Sequence, residues 1–389
     1  MVRLGNGILF STLLLLFSSL SFGEVLVPKP DGKYAVSLSV AKLVDENRND
    51  IFDPSKGKRA IMISLMCPMT ECKKTSPVNY MPPATAKFMG QLINFQFGIP
   101  LGTLESVKLQ VCSEPDPSAI QKVHRFPVVI FSPGIISTRL NHNIMAQYLA
   151  SEGYCVVTID HPYDAALVEY PDKTIITSVV PPNFNASNDN QFLPEREKDV
   201  ALVRRQLSDS KVVAKLLPGA KHGLNTTNAA LYGHSYGGTT SILVLSKEKD
   251  IVGALNMDGS QYGDLSNICN PAFLFGTGKP FTHSSENDTT WGETWKHIEK
   301  WGREMVLDGT RHSAFTDSAF LIKLISYTPS ENFKKAIEDA IGTLDGKRSF
   351  IIISECVKAF MKYAFYKKKD KLLDTPSRVY PELDLVRSR

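Results

Sequence analysis

Five consecutive residues of the 389-residue chain carry types and spacing suited to chemistry on an acyl group: Gly233-His234-Ser235-Tyr236-Gly237, inside LYGHSYGGTTS (231–241). A serine hydroxyl becomes a nucleophile when a histidine takes its proton, and that histidine needs a carboxylate to hold its tautomer. Glycines two residues to either side suit a turn so sharp that side chains there would clash. AALY before the serine is strand-like and TTSILVL after it is helix-like, the strand–turn–helix setting the motif requires. The competing reading is a glycine-rich turn with an idle serine, and the flanking pattern argues against it.

In α/β-hydrolases the acid follows the serine in the chain and the histidine follows the acid. Asp258 closes the strand-like run VGALNMD, which places it at the sheet rim where such sites are built. An Asp after a strand is also a common turn former, so Asp264 and Asp308 stand as rivals. Of the later histidines, His297 lies in the helical pattern WKHIEKW, and His283 lies in a polar loop with no strand evident before it. His312, in GTRHSAFTD after the strand-like REMVLDG, is the favoured base. His124, His142, His161, His222 and His234 precede Ser235 or adjoin it and break the order. For the developing oxyanion, the backbone N–H of Tyr236 is one expected donor. The second comes from PVVIFSPGIIST, where Pro133 has no N–H and Ile135 is the choice. The chain has no CxxC pair and no His at ligand spacing from a Cys, so neither a metal nor any other cofactor is expected.

Alternating element signals must position these groups. Strand-like runs fall at 60–66, 107–112, 127–133, 155–160, 229–233, 252–258 and 272–278, with helical stretches at 143–153, 199–217, 239–247 and 348–369. That alternation predicts an α/β fold, a mostly parallel sheet with helices on both faces. A segment rich in Pro, Asn and Asp, near 168–193, reads as a surface insertion. With no linker between the strand-rich parts, residues 24–389 are expected to form one α/β-hydrolase domain ending in helices. The apolar stretch FMGQLINFQFGIPLG (88–102) is either a lipid-facing lip near the pocket or a core or edge segment.

Hydrophobic residues make up 43% and charged residues 22%, which excludes a disordered, collagen-like or coiled-coil chain. The net charge of +4 is too mild for a nucleic-acid partner. Residues 1–23 have a basic start, an apolar stretch and a small-x-small end, the pattern of a signal peptide. Secretion would make Asn185, Asn225 and Asn287, each in an Asn-x-Ser/Thr triplet, glycosylation candidates. It would also put the six cysteines in an oxidising compartment, with pairing left open.

FSPGIISTR (131–139), YLASEGYCVVTIDHPYD (148–164), GHSYGG (233–238), NMDGSQYG (256–263) and GTRHSAFTD (309–317) together resemble the plasma-type (type II) platelet-activating factor acetylhydrolases, particularly fungal members. The stretches NRNDIFDPSKGKRAIMISLMCP (47–68) and YMPPATA (80–86) extend the likeness over most of the chain after Lys29. The resemblance implies Ser235 as nucleophile, Asp258 as acid, His312 as base, Ile135 and Tyr236 as oxyanion donors, and calcium-independent hydrolysis of short or oxidised sn-2 acyl groups of glycerophospholipids. Pro133 is a departure, since the family usually has His there. Two other readings stand beside it: a general secreted carboxylesterase or polyester hydrolase, and a catalytically silent binding module on the same fold. Ile135, Ile136, Tyr236, Gln261 and Tyr262 are the expected floor for a short acyl group. The lysine-rich KYAFYKKKDK (362–371) is a candidate for peripheral contact with a lipid surface; nothing in the sequence identifies a protein partner.

Overall fold

The strand-like run 107–112 forms part of a strand, Val107–Pro115, of a separate three-stranded sheet, and all the others enter a nine-stranded sheet, with its strands in the order β1-β2-β4-β3-β5-β6-β7-β8-β9. These are β1 (Ala35–Asn49), β2 (Lys58–Met69), β3 (Val128–Ser132), β4 (Cys155–Asp160), β5 (Ala230–His234), β6 (Gly253–Met257), β7 (Ala272–Thr277), β8 (Gly302–Leu307) and β9 (Leu383–Ser388). The computed structural model describes residues 23–189, 191–374 and 376–389, so the expected signal peptide lies outside the described residues except for Gly23. Strands β3 to β8 pair in parallel, whereas β1–β2, β2–β4 and β8–β9 are antiparallel. This strand order and the helices on both faces are the α/β-hydrolase fold.

Alternation along the central strands splits the core in two, as a pleated sheet covered on both sides requires. Val129, Phe131, Tyr232, Met257 and Phe275 face one cluster, while Val128, Ile130, Leu231, Ala254 and Leu274 face the other. Five helices matter most: α1 (Pro83–Phe97), α2 (Asn143–Ser151), α3 (Phe192–Ser208), α4 (Tyr236–Lys247) and α5 (Gly346–Tyr366). Residues of α2 and α5 complete the first cluster, and residues of α3 and α4 the second. Among the described residues no helix is long and apolar enough to cross a membrane.

Two expectations are corrected, and one alternative is decided. The helical run 199–217 is two helices, because Asp209 leaves helical geometry and its side chain caps Lys211 N–H of the helix Ser210–Leu216. The segment near 168–193 is not all surface: Val168 and Tyr170 are buried with Ala60 and Met62, and Phe192 and Leu193 are buried at the start of α3. Residues 88–102 form most of α1 and the turn after it, and none of them lines the cavity at Ser235. Met89, Ile93 and Phe97 instead line a separate apolar cavity of about 80 Å³ with Leu321 and Ile325, leaving Phe95 86% exposed.

Disulfides join Cys67 on β2 to Cys155 on the adjacent β4, and Cys72 to Cys112 in a small sheet beside the main one. Cys269 is an exposed free thiol and Cys356 a buried one.

Candidate active site

Ser235 sits where β5 turns into α4, with φ 56° and ψ −127°, a conformation that non-glycine residues adopt only under constraint. The constraint is visible. Its N–H donates to the Met257 carbonyl at 2.8 Å, and its own carbonyl accepts from Gly238 N–H at 2.8 Å. A Cβ at Gly233 would lie 2.1 Å from the Gly237 carbonyl oxygen, and one at Gly237 would lie 1.9 Å from that of Ser132. Both motif glycines are therefore demanded by backbone packing, while the serine side chain faces a cavity.

Asp258 follows β6, also at positive φ (57°). Asn256 staples this turn by donating to the Gly259 carbonyl and accepting from Gly259 N–H. The nearly buried Asp258 carboxylate lies 2.6 Å by Oδ2 from His312 Nδ1 and 2.9 Å by Oδ1 from His283 Nδ1, and Oδ1 also accepts Thr277 N–H at 3.0 Å. Burial opposes its ionisation, but the hydrogen bonds from the two histidines prevail and hold it well below the usual carboxylate range.

His312 opens a short 3₁₀ turn after β8, its side chain half exposed to the cavity. Behind it, His234 Nε2 lies 3.0 Å from the His312 carbonyl, which can only accept, so His234 carries its proton on Nε2. Burial drives His234 far below its ordinary pKa, leaving it neutral. Asp317, buried five positions on, accepts from Ile144 and Met145 N–H at the first turn of α2 and from the Tyr80 hydroxyl. It pins the His312 turn to that helix, and burial pushes its carboxyl up to about 7.

Ser235, Asp258, His312, Ile135 and Tyr236, the five residues expected to act together, line one cavity of about 730 Å³. The rivals Asp264 and Asp308 lie elsewhere: Asp264 is exposed, and Asp308 accepts Lys279 N–H. Phe184 and Ala186 line the cavity beside Tyr262 in place of the expected Ile136 and Gln261. Ile136 is 52% exposed to solvent, and Gln261 is buried and donates to the Thr239 and Tyr262 carbonyls. Asn185, Asn225 and Asn287 are all exposed, Asn287 at the cavity rim. Among the described residues no group of His, Cys, Asp and Glu has the arrangement to hold a metal ion.

The loop after β3 is held from a distance. Arg196 of α3, buried and paired with both oxygens of Asp164, donates to the Pro133 carbonyl at 2.6 Å and to the Gly134 carbonyl at 3.1 Å. The Asp164 carbonyl accepts Ile136 N–H at 3.1 Å. Arg196, Asp317 and His283 are the residues that sequence reasoning missed. Nothing local marks Arg196, Asp317 closes the GTRHSAFTD stretch without having been singled out, and His283 follows β7 by a short loop that could have been read as strand-fed.

The strand order is that of the α/β-hydrolase class, and the family that the chain matches makes it a carboxylic ester hydrolase. The chain belongs to the family described as platelet-activating factor acetylhydrolase, isoform II, whose model matches residues 22–362. It is 30% identical over 379 residues to a probable 1-alkyl-2-acetylglycerophosphocholine esterase of Arthroderma benhamiae, covering 92% of this chain and 93% of that one. It is 22% identical over 324 residues to a platelet-activating factor acetylhydrolase of Cavia porcellus, covering 77% and 71% respectively. A solved ferulic acid esterase from Streptomyces cinnamoneus shares the fold, with a TM-score of 0.76 at 24% identity over 94% of this chain and all of that one.

Proposed function

We propose that the protein is a secreted serine esterase that removes short or oxidised sn-2 acyl groups from glycerophospholipids, with Ser235 as nucleophile, His312 as base and Asp258 as the acid that orients it. The carrying observation is the 2.6 Å contact between Asp258 and His312 Nδ1. It leaves Nε2 of His312 to receive the Ser235 proton in the cavity that both residues line.

The Ser235 oxygen attacks the ester carbon as its proton passes to His312. The oxyanion is met by the N–H groups of Ile135 and Tyr236, and collapse of the intermediate returns the proton to the leaving alcohol. Water then repeats the sequence on the acyl-enzyme. The similarity to the Arthroderma benhamiae protein supports the glycerophosphocholine ester as substrate. Two disulfides and three exposed sequons support secretion.

A second reading, a general carboxylesterase, is favoured by one feature: among the described residues no Lys or Arg lines the cavity to meet a phosphate. Purified protein incubated with 1-alkyl-2-acetylglycerophosphocholine and with a neutral acetyl ester of equal solubility separates the two. Faster turnover of the phospholipid supports the first reading, and hydrolysis of the neutral ester alone rejects it. Labelling by an organophosphonate is expected at Ser235, and labelling at another serine rejects the mechanism.

A further inference from the structure

His283 lies between two carboxylates. Its Nδ1 is 2.9 Å from Asp258 Oδ1 and its Nε2 is 2.8 Å from Asp288 Oδ2. An ionised carboxylate only accepts, so both ring nitrogens must carry hydrogen and the ring is an imidazolium. The surroundings fix it there. Asp288 caps the helix Thr289–His297, accepting from Thr290 N–H and hydroxyl at 2.8 and 2.7 Å. Trp291 of that helix packs at a tilt against the His283 ring, centroids 4.3 Å apart, and donates its indole N–H to the Gly259 carbonyl, beside Asp258. Burial alone would strip the proton from His283, but the Asp258 and Asp288 hydrogen bonds push it up to about 9.

We propose that His283 is a positioning residue that clamps Asp258 from the side opposite His312 and sets the acid limb of the pH–activity profile. The inference rests on the Ser235–His312–Asp258 mechanism proposed above. One carboxylate then serves two imidazoles, His312 through Oδ2 and His283 through Oδ1. A fixed positive charge at Oδ1 and a proton arriving at the imidazole on Oδ2 act on one carboxylate, which couples His283 to the acid limb. Asp288 supplies the opposing negative charge. The other titratable groups here are His234, which packs on His312 at 4.4 Å and is neutral, and Glu304, which is bonded to Ser285.

The test is the pH dependence of kcat/KM for p-nitrophenyl acetate, a substrate that makes no demand on lipid recognition. His283→Gln removes the positive charge, and the acid limb is expected to move up by about one pH unit. Asp288→Asn removes a negative charge while Asp258 keeps His283 protonated in acid, so the limb is expected to move down by about half a unit. A purely structural role would give no shift or shifts of the same sign; either result overturns the proposal, and so does an unmoved limb in Asp288→Asn alone should His283→Gln fail to fold. Imidazole NMR of the wild-type protein gives an activity-free readout, in which His283 is expected to stay protonated through pH 8. Titration of His283 below pH 7 overturns the proposal. A protein that hydrolyses no ester sinks the proposed function and leaves the NMR result to judge His283.

Discussion

Arg196 holds the Gly134 carbonyl at 3.1 Å from the far side of the loop that borders Ser235. In a planar trans peptide the carbonyl and the following N–H point in opposite directions. Anchoring the Gly134 oxygen therefore turns the Ile135 N–H away from Arg196. Gly134 approaches so closely that a Cβ on it would stand 3.1 Å from the Ser235 Cβ. Pro133 has no N–H to brace the loop, and the guanidinium of Arg196 supplies support from a different element.

Arg196→Lys keeps the charge but loses the fork that spans Asp164 and two carbonyls. Loss of a whole oxyanion donor lowers kcat by about 10²–10³, so a misaimed one is expected to lower it by roughly tenfold to a hundredfold. KM should change little. A folded Arg196→Lys protein with unaltered kcat would show that the loop holds its shape unaided.

Ser235→Ala and His312→Ala are each expected to lower kcat by several orders of magnitude, and Asp258→Asn by about 10⁴-fold. The three act as one unit, so Ser235→Ala/His312→Ala should be little worse than either single change. Additive losses in the double variant would assign the two residues to separate steps. Calcium chelation with EDTA is expected to leave the rate unchanged, and inactivation reversed by calcium would contradict base activation by His312.

How much of this was legible follows from the range of each signal. The Ser235 elbow is local: a strand, two obligatory glycines and a helix within about a dozen residues, so pattern alone places it. Asp258 and His312 inherit their positions from β6 and β8, whose apolar runs are equally plain. Arg196 reaches Pro133 across 63 positions, and Asp317 reaches Ile144 across 173. In sequence each is one charged residue among many. The strand β1 was missed because polarity and face do not coincide along it: Ser37 and Asp45 are buried while Val40 is exposed, which blurs the alternation of a half-buried strand. Helix α1 was missed because its apolar residues serve both a cavity and the solvent, so no clean stripe marks it.

The His283 cluster also predicts how stability depends on pH. The folded protein raises His283 to about 9, against about 6.5 for a free histidine. Its stabilisation is complete below the unfolded value and disappears as pH rises through 9. Asp258 and Asp288 are lowered, so their stabilisation holds above the ordinary carboxylate range and is lost as pH falls through their folded values. Urea unfolding should show wild type losing on the order of 2–3 kcal/mol more than His283→Gln between pH 6.5 and 9.5. Equal losses in both proteins would mean that His283 binds its proton no more tightly when folded.

Phe184 lines the apolar side of the cavity, and acyl length is expected to be decided there. Its ring packs edge-on against Tyr236 at 5.8 Å and against Phe192 at 5.7 Å, and Ile135 and Tyr262 complete the same apolar wall. A tunnel here would reward long chains, since each buried methylene adds about 0.8 kcal/mol; a wall of packed aromatic rings offers no such gain. The acetyl ester of glycerophosphocholine is therefore expected to give a higher kcat/KM than the palmitoyl ester, both measured below micelle formation, because discrimination lies in the transition state. Phe184→Ala opens the wall without touching Ser235, Asp258 or His312. It should raise kcat/KM for a hexanoyl ester relative to the acetyl ester by about tenfold, the worth of roughly two buried methylenes. A palmitoyl ester cleaved as well as the acetyl ester by the wild-type enzyme would reject short-chain selectivity. An unchanged hexanoyl-to-acetyl ratio in a folded Phe184→Ala protein would place the acyl chain against another wall.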